Sequence, residues 1–107
     1  MGSFGKFIKT EREKKGWSQT EFGALIKINT PAISGIENDR KKFSVSKLEL
    51  LSELFEMDYK VLKDLYFGDK FAKEAYEYNC SENVFTVAEN QTNYLKEVNA
   101  KQGKIKF

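Results

Sequence analysis

The sequence predicts an all-α fold with one small globular core and additional helices in its C-terminal part. Only one of the 107 residues is proline and seven are glycine, which is too few for a turn-rich all-β protein. Hydrophobic residues make up 40% of the chain and aromatic residues 14%, a content too apolar for a disordered protein. Apolar residues recur every three or four positions along most of the chain, which is the spacing of amphipathic helices.

The first helix is indicated by apolar residues at helical spacing. Phe4, Phe7 and Ile8 lie on one face, and Arg12 continues that face. Two lysines and Gly16 follow, as is common where a helix ends. We therefore expect helix 1 to end close to this glycine.

The second helix has a clear start signal. Ser18 stands three residues before Glu21, which predicts a capping box. Trp17 is the preceding apolar residue that a hydrophobic staple needs. Helix 2 is therefore expected from about Gln19 to Ile26.

Helix 3 is predicted over about Thr30 to Asn38. Asn29 is a favourable N-cap residue, and Pro31 falls in the first turn, where its missing N–H is not needed. Ile33 and Ile36 are spaced so that both face the core. Helices of about eight residues are not stable alone in water, so the close spacing of helices 2 and 3 points to a purpose other than stability.

Two further helices complete the predicted core. Helix 4 is expected over about Ser46 to Met57, after the basic loop "NDRKKFS". Its apolar stripe consists of Leu48, Leu51, Leu54 and Phe55. Asp58 is the predicted cap of helix 5, and Gly68 predicts a break after it.

The C-terminal part predicts two more helices, "DKFAKEAYEY" and "ENVFTVAENQTNYLKEV", before a loosely ordered basic tail. Alternating spacings of three and four residues give the second of them an apolar seam with one polar residue, as in packed helix pairs. The seam consists of Val84, Val87, Gln91, Tyr94 and Val98. Two interpretations are open: the helix folds back onto its own domain, or it dimerises.

A helix-turn-helix explains the close spacing of helices 2 and 3, because its second helix enters the major groove of DNA. The stretches "GKFIKTEREKKGWSQTEFG", "INTPAISGIEN" and "SVSKLELLSELFEM" resemble the lambda-repressor-like, or XRE, family from about Phe4 to Phe67. The resemblance implies a five-helix DNA-binding domain over residues 1–67, with the helix-turn-helix at about residues 18–38. Residues 68–107 would then form a C-terminal helical extension, which we expect to be a dimerisation element with a basic tail.

The resemblance also implies roles for three residues and reveals two departures. Arg12 and Glu37 would meet beneath helix 3 and hold it against helix 1, unless both are surface charges. The side chain of Gln19 would bind phosphate at the start of helix 2. Lys27 stands where the family usually has a turn glycine, and Gly23 where it often has alanine, so some strain is expected at the turn.

The free faces of helix 3 predict the DNA contacts. Base-edge contacts are expected from Thr30, Pro31, Ala32 and Ser34, with the first of these as the leading candidate. Phosphate contacts are expected from Gln19, Asn29, Asn38, Arg40, Lys41 and Lys42. Short side chains at the base positions offer few bidentate hydrogen bonds, so DNA shape should contribute to specificity.

The leading hypothesis is a transcriptional regulator that binds a two-fold symmetric operator in double-stranded DNA as a homodimer. The stretch "ISGIENDRKKFSVSKLELL" looks most like the controller proteins of restriction–modification systems, although phage-type repressors and antitoxins have a similar core. The alternative is an antitoxin or other protein-interaction module that has lost DNA binding. Gln19, Asn38 and the basic loop argue against that alternative.

Composition disfavours other classes of protein. The chain has no histidine and no phosphate-binding loop motif, so we expect no catalysis, no bound metal and no cofactor. The single cysteine, Cys80, cannot form an internal disulfide, and we expect a buried or half-buried thiol in a reducing cytoplasm.

No apolar run follows "MGSFGKFIKTEREKK" and no apolar stretch reaches about 18 residues, so we expect a soluble cytoplasmic protein without membrane contact. The net charge of +2 permits nucleic-acid binding without predicting it.

Overall fold

The computed structural model describes residues 2–102, and this part of the chain contains helices and no strand. The α-helices are α1 (Phe4–Lys14), α2 (Gln19–Ile26), α3 (Thr30–Glu37), α4 (Leu48–Phe55), α5 (Tyr59–Glu77) and α6 (Asn83–Gln102). The predicted all-α fold is confirmed. The end of the predicted basic tail, residues 103–107, lies outside the described residues.

The start of α2 is fixed by the predicted capping box and staple. The Ser18 hydroxyl accepts a hydrogen bond from the Glu21 backbone N–H at 3.0 Å, and the Glu21 carboxylate accepts one from the Ser18 N–H at 2.8 Å. The bond donated by the Ser18 N–H is the main cause that lowers the pKa of the Glu21 carboxyl, because it favours the ionised form. The Trp17 ring stacks on Phe22 with centroids 6.1 Å apart, which is the staple contact.

Helix α3 begins as predicted and ends at Glu37, one residue before the predicted end. The Asn29 side chain accepts a hydrogen bond from the Ala32 N–H at 2.9 Å, and Pro31 lies in the first turn. Proline adds no unsatisfied donor there, and its fixed φ already suits a helix. The N-terminal end of α3 is therefore well defined.

Helix α4 differs from its prediction at both ends. The expected first turn is a 3-10 helix over Val45–Lys47, and the α-helix begins at Leu48. The Lys47 ammonium group donates hydrogen bonds to the backbone carbonyls of Ile26 and Lys27, at 2.9 and 3.2 Å, which caps the C-terminal end of α2. This tertiary contact shapes the first turn and has no signal in the local sequence. At the other end, Glu56 adopts a left-handed φ of 53° and stops the helix before the predicted residue.

Helix α5 starts after Asp58, whose carboxylate accepts a hydrogen bond from the Lys60 N–H at 2.7 Å. The predicted break at Gly68 is wrong, because the helix continues to Glu77. No atom lies within 4 Å of the position that a Cβ of Gly68 would occupy, so this glycine lies on an open helix surface. A glycine there lowers helix propensity by about 1 kcal/mol, which neighbouring helix formers can offset.

The chain forms two compact units, one up to Lys70 and one from Phe71. The largest fully buried apolar side chains of the first unit are Ile8, Phe22, Ile26, Ile33, Leu48, Leu51 and Leu62. Each α-helix of this unit contributes at least one of these side chains. Burial of one such side chain stabilises the fold by about 1.5–3 kcal/mol. Packing, rather than intrinsic propensity, thus stabilises the short helices α2 and α3.

In the second unit, the end of α5 packs against the start of α6. The rings of Phe71 and Phe85 meet edge to face with centroids 5.3 Å apart. Cys80 lies in the turn between these helices and is exposed, so the expectation of a buried or half-buried thiol is wrong. A cysteine in a turn of a small helical hairpin has no apolar layer above it. Among residues 2–102, no helix is apolar enough over a sufficient length to cross a membrane.

Candidate nucleic-acid interface

The turn between α2 and α3 is tight and depends on two unusual residues. Lys27 adopts the left-handed conformation with φ of 62°, in agreement with the strain expected at this position. A Cβ at Gly23 would lie 2.5 Å from the Ile28 carbonyl oxygen, so only glycine allows this approach of the backbone. The Ile28 N–H also donates to the Gly23 carbonyl at 2.9 Å. The two helices therefore meet as a compact helix-turn-helix.

Helix α3 has one buried and one accessible face. Ile33 and Ile36 are buried in the core, whereas Pro31 is exposed and Thr30 and Ser34 are half-buried. This arrangement follows from the helical period of 3.6 residues. Three of the four predicted base-contact residues are thus on the accessible face.

Ala32 differs from its prediction as a base-contact residue. Only 8% of its surface is accessible, because it lies one helical turn before Ile36 and shares the core-facing flank with it. A methyl group at that position has little surface to offer a thymine methyl. The burial of Ala32 removes the structural support for its predicted contact, and the base contacts of Thr30, Pro31 and Ser34 stay predictions.

Arg12 and Glu37 form a buried ion pair between α1 and α3. The guanidinium Nε donates to Oε2 at 2.7 Å and Nη2 donates to Oε1 at 3.0 Å, a bidentate geometry. Nη1 also donates to the Trp17 carbonyl at 2.8 Å. The hydrogen bonds that Arg12 donates to the Glu37 carboxylate are the main cause that raises the pKa of Arg12, because they favour the charged guanidinium.

Gln19 lies beside this pair rather than projecting freely from α2. Its side-chain nitrogen donates to Oε1 of Glu37 at 3.1 Å, and the residue is half-buried. One amide hydrogen is therefore already used inside the protein. The first residue of α2 is linked by this bond to the last residue of α3.

Asn29 and Asn38, two predicted phosphate-contact residues, lie at opposite ends of α3 and are exposed. The first caps the start of the helix through the bond to Ala32 described above. The side-chain nitrogen of the second donates to the Ser34 carbonyl at 2.8 Å, which satisfies an acceptor in the last turn. Both therefore serve the helix ends in addition to any contact with a ligand.

The basic loop, defined as Arg40 to Lys42, follows directly after α3. All three side chains are exposed, and none lies within ion-pair distance of a carboxylate among the described residues. Three adjacent cations without an ion-pair partner in the described part of the chain produce a locally positive surface near the end of α3. Such a surface attracts polyanions.

Thr20 is a residue of this surface that the sequence did not reveal. Its hydroxyl oxygen lies 3.3 Å from that of Thr30, so the starts of α2 and α3 are in contact. The only signal in the sequence is its place in the first turn of helix 2, next to Gln19. No local pattern relates side chains of different helices.

The predicted seam on α6 is largely accessible. Val87 and Tyr94 are 47% and 58% exposed, Gln91 is exposed, and Val84 and Val98 are half-buried. Leu95 and Phe85 add further accessible apolar surface to the same helix. Four large apolar side chains of this helix, Phe85, Val87, Tyr94 and Leu95, are therefore accessible.

Comparison with known proteins identifies the family. A helix-turn-helix family model matches residues 8–62, which is more than half of the chain. A solved structure, the complex of the SinR and SinI proteins, is similar in fold with a TM-score of 0.51 and 22% sequence identity. The similarity covers 88% of this chain and 98% of the other chain, and it therefore includes helices beyond the helix-turn-helix. No curated protein matches the sequence. The chain belongs to the XRE-type helix-turn-helix family of DNA-binding transcriptional regulators.

Proposed function

We propose that this regulator binds a two-fold symmetric operator in double-stranded DNA as a homodimer, with α3 of each protomer in the major groove. The observation that carries the proposal is the accessible face of α3, with the start of α2 in contact with α3 through the Thr20 and Thr30 hydroxyls and the basic loop bonded to the Gly35 carbonyl. A recognition helix needs this arrangement, because the duplex backbone passes on both sides of the major groove.

Contacts to bases and contacts to phosphates are assigned to different side chains. Thr30 offers a hydroxyl to base edges and Pro31 offers methylene surface to a thymine methyl, while Ser34 can donate or accept. Phosphate contacts are assigned to the residues that border this face. They are Gln19, Asn29, Asn38, Arg40, Lys41 and Lys42. Few bidentate donors lie on α3, so operator choice depends on DNA shape as well as on base contacts.

The apolar surface of α6 supports the homodimer. A single recognition helix reads only a few base pairs, and a second copy one helical turn away, at about 34 Å, raises both affinity and specificity. The seam of Val84, Val87, Gln91, Tyr94 and Val98 is suited to a helix pair, since apolar residues alternate at spacings of three and four. Pairing would remove Val87 and Tyr94 from water.

For the biological role, we propose the controller protein of a restriction–modification system. The resemblance of "ISGIENDRKKFSVSKLELL" to such proteins supports this role, and phage-type repressors and antitoxins share a similar core. A controller acts on its own operon, so its operator should lie close to its own gene.

A second candidate function is an antitoxin or another module that binds a protein through α6. The exposed apolar residues of that helix favour it, and the similar solved structure is a complex of two proteins. Salt dependence separates the two functions. Binding to DNA should weaken by about 0.9 log unit per log unit of salt for each phosphate contacted, whereas apolar binding to a protein should not.

Selection of bound sites from random DNA tests the main proposal. The expected result is an inverted repeat whose half-sites are about 10 base pairs apart between centres, or a multiple of that spacing. A search for the enriched motif beside the protein's own gene then tests the controller role. Failure to enrich any sequence would contradict the proposed function, and enrichment of a single half-site would contradict only the homodimer.

A further inference from the structure

The segment that carries the basic loop is fixed at its first end by the recognition helix. The backbone N–H groups of Arg40 and Lys41 both donate to the Gly35 carbonyl, at 2.8 and 3.2 Å. Asp39 turns the chain with a left-handed φ of 60°, and its carboxylate accepts a hydrogen bond from the Ser3 hydroxyl at 2.7 Å. The loop therefore leaves α3 in one defined direction.

Close packing adds to these bonds. A Cβ at Gly35 would lie 3.3 Å from the Cβ of Lys41, which is tighter than an ordinary van der Waals contact. The start of the Lys41 side chain thus lies directly against α3. A cation in this position is next to the face assigned to DNA.

The other end of the segment is anchored in the core. Phe43 is only 3% exposed, and its ring packs against Phe4 with centroids 6.0 Å apart. The Tyr66 hydroxyl on α5 donates to the Phe43 carbonyl oxygen at 2.9 Å. The Tyr66 ring itself meets Phe4 edge to face at 5.3 Å, so the phenol is held in position by packing.

The loop is fixed by α3 at its first end and by Phe43 at its other end. This is important because three adjacent cations repel one another, and their side chains would move apart in a flexible loop. A loop that is already ordered loses less conformational entropy when its cations contact phosphates. The Tyr66 hydroxyl belongs to no element assigned to DNA, and among residues 2–102 its hydrogen-bond partner is the backbone at the end of this loop.

We propose that Tyr66 is a positioning residue for DNA binding, which holds the basic loop in the conformation that contacts the phosphate backbone. The proposal rests on the proposed function, because it assumes that Lys41 and Lys42 contact phosphates. Tyr66 acts through its hydrogen bond to Phe43 and does not touch DNA.

The test uses the full chain and a fluorescein-labelled duplex of random sequence, so that no operator has to be known. Tyr66→Phe removes the hydroxyl and keeps the ring in the core. We expect it to weaken binding about three- to tenfold, as for the loss of one net hydrogen bond, and to lower the salt slope. Tyr59→Phe is the matched control on the same helix, because the Tyr59 hydroxyl makes no hydrogen bond to any residue that the structure describes, and it should bind like the wild type.

A second background separates positioning from general stability. In a chain that already carries Arg40→Ala, Lys41→Ala and Lys42→Ala, Tyr66→Phe should weaken binding less than about twofold, since the loop cations are gone. An equal loss in both backgrounds would show that Tyr66 only stabilises the fold, and it would overturn the proposal.

Gly35→Ala perturbs the basic loop at its first end. It tests the importance of loop position for DNA binding if Tyr66→Phe is unfolded. The added methyl group should displace Lys41 and weaken binding to the random duplex, and the higher helix propensity of alanine over glycine opposes the loss of stability that this displacement causes. Wild-type affinity in both variants would overturn the proposal. Failure of the wild type itself to bind the duplex at low salt would instead contradict the proposed function.

Discussion

The Glu37 carboxylate at the end of α3 accepts hydrogen bonds from Arg12 on α1 at 2.7 Å and from Gln19 on α2 at 3.1 Å. The recognition helix is thereby tied to both preceding helices through one side chain that is 1% exposed. Without these hydrogen-bond partners, the buried carboxylate would destabilise the folded protein.

Loss of either member of the Arg12–Glu37 pair should strongly destabilise the protein. Arg12→Ala or Glu37→Ala should lower the free energy of unfolding by about 3–5 kcal/mol, because each strands a buried charge. Urea unfolding measures the effect. Arg12→Met combined with Glu37→Leu is the control and should recover most of the loss, since no unpaired charge remains. A loss below about 1 kcal/mol in the single variants would mean that the pair behaves as a surface ion pair.

Gln19→Ala should affect both stability and DNA binding. We expect a loss of about 0.5–1.5 kcal/mol in unfolding free energy, because Glu37 keeps its two bonds from Arg12. Affinity for all DNA sequences should fall as well, since one phosphate contact is removed. Gln19→Glu should be worse in both respects, because its carboxylate would face Glu37 and the phosphates. Unchanged DNA affinity in Gln19→Ala would restrict this residue to a structural role.

Thr30→Ala should change sequence preference and leave the fold intact. The residue is half-buried at the start of α3, and its loss should lower affinity for the best site by about 1–3 kcal/mol with little effect on random DNA. Fluorescence titration with both duplexes measures the difference. Thr92→Ala on α6 is the matched control, since its hydroxyl bonds only to the Ala88 carbonyl of its own helix. Equal losses on both duplexes would assign Thr30 to the backbone.

Lys41→Ala should lower DNA affinity without changing sequence preference, in contrast to Thr30→Ala. Affinity should fall for all DNA sequences, and the slope of log affinity against log salt should decrease by about one unit. Lys60→Ala is the matched control, an exposed lysine on α5 that is assigned no contact with DNA. A sequence-selective effect of Lys41→Ala would contradict the phosphate assignment.

The sequence was sufficient where a local interaction determines the structure. Ser18 with Glu21, Asn29 with Pro31, and Asp58 predicted the starts of three helices, because each caps a backbone group within a few residues. The sequence was insufficient where the local structure depends on contacts with residues that are distant in the chain. Lys47 bonds to the end of α2, Ala32 is covered by the core, and Gly68 lies within a helix whose other residues outweigh it. The bond from Gln19 to Glu37 likewise joins residues far apart in the chain.

The seam on α6 makes a prediction about assembly. Val87→Asp should abolish the dimer, because it introduces a charge into a surface that pairing would bury. Gln91→Leu should raise dimer stability and loosen the choice of register, since a polar residue in a seam specifies geometry at the expense of stability. Glu89→Asp, a conservative change at an exposed neighbouring position outside the seam, is the control. A monomer–dimer equilibrium unaffected by Val87→Asp would move the interface elsewhere.

Sedimentation equilibrium of the full chain, alone and mixed with the duplex obtained by site selection, tests most directly whether the protein binds DNA as a homodimer. We expect a dimer without DNA and two protomers on each duplex, with Val87→Asp binding the same duplex much more weakly because two half-sites no longer act together. A monomer that binds the selected duplex as one protomer, with the affinity of Val87→Asp unchanged, would contradict the account.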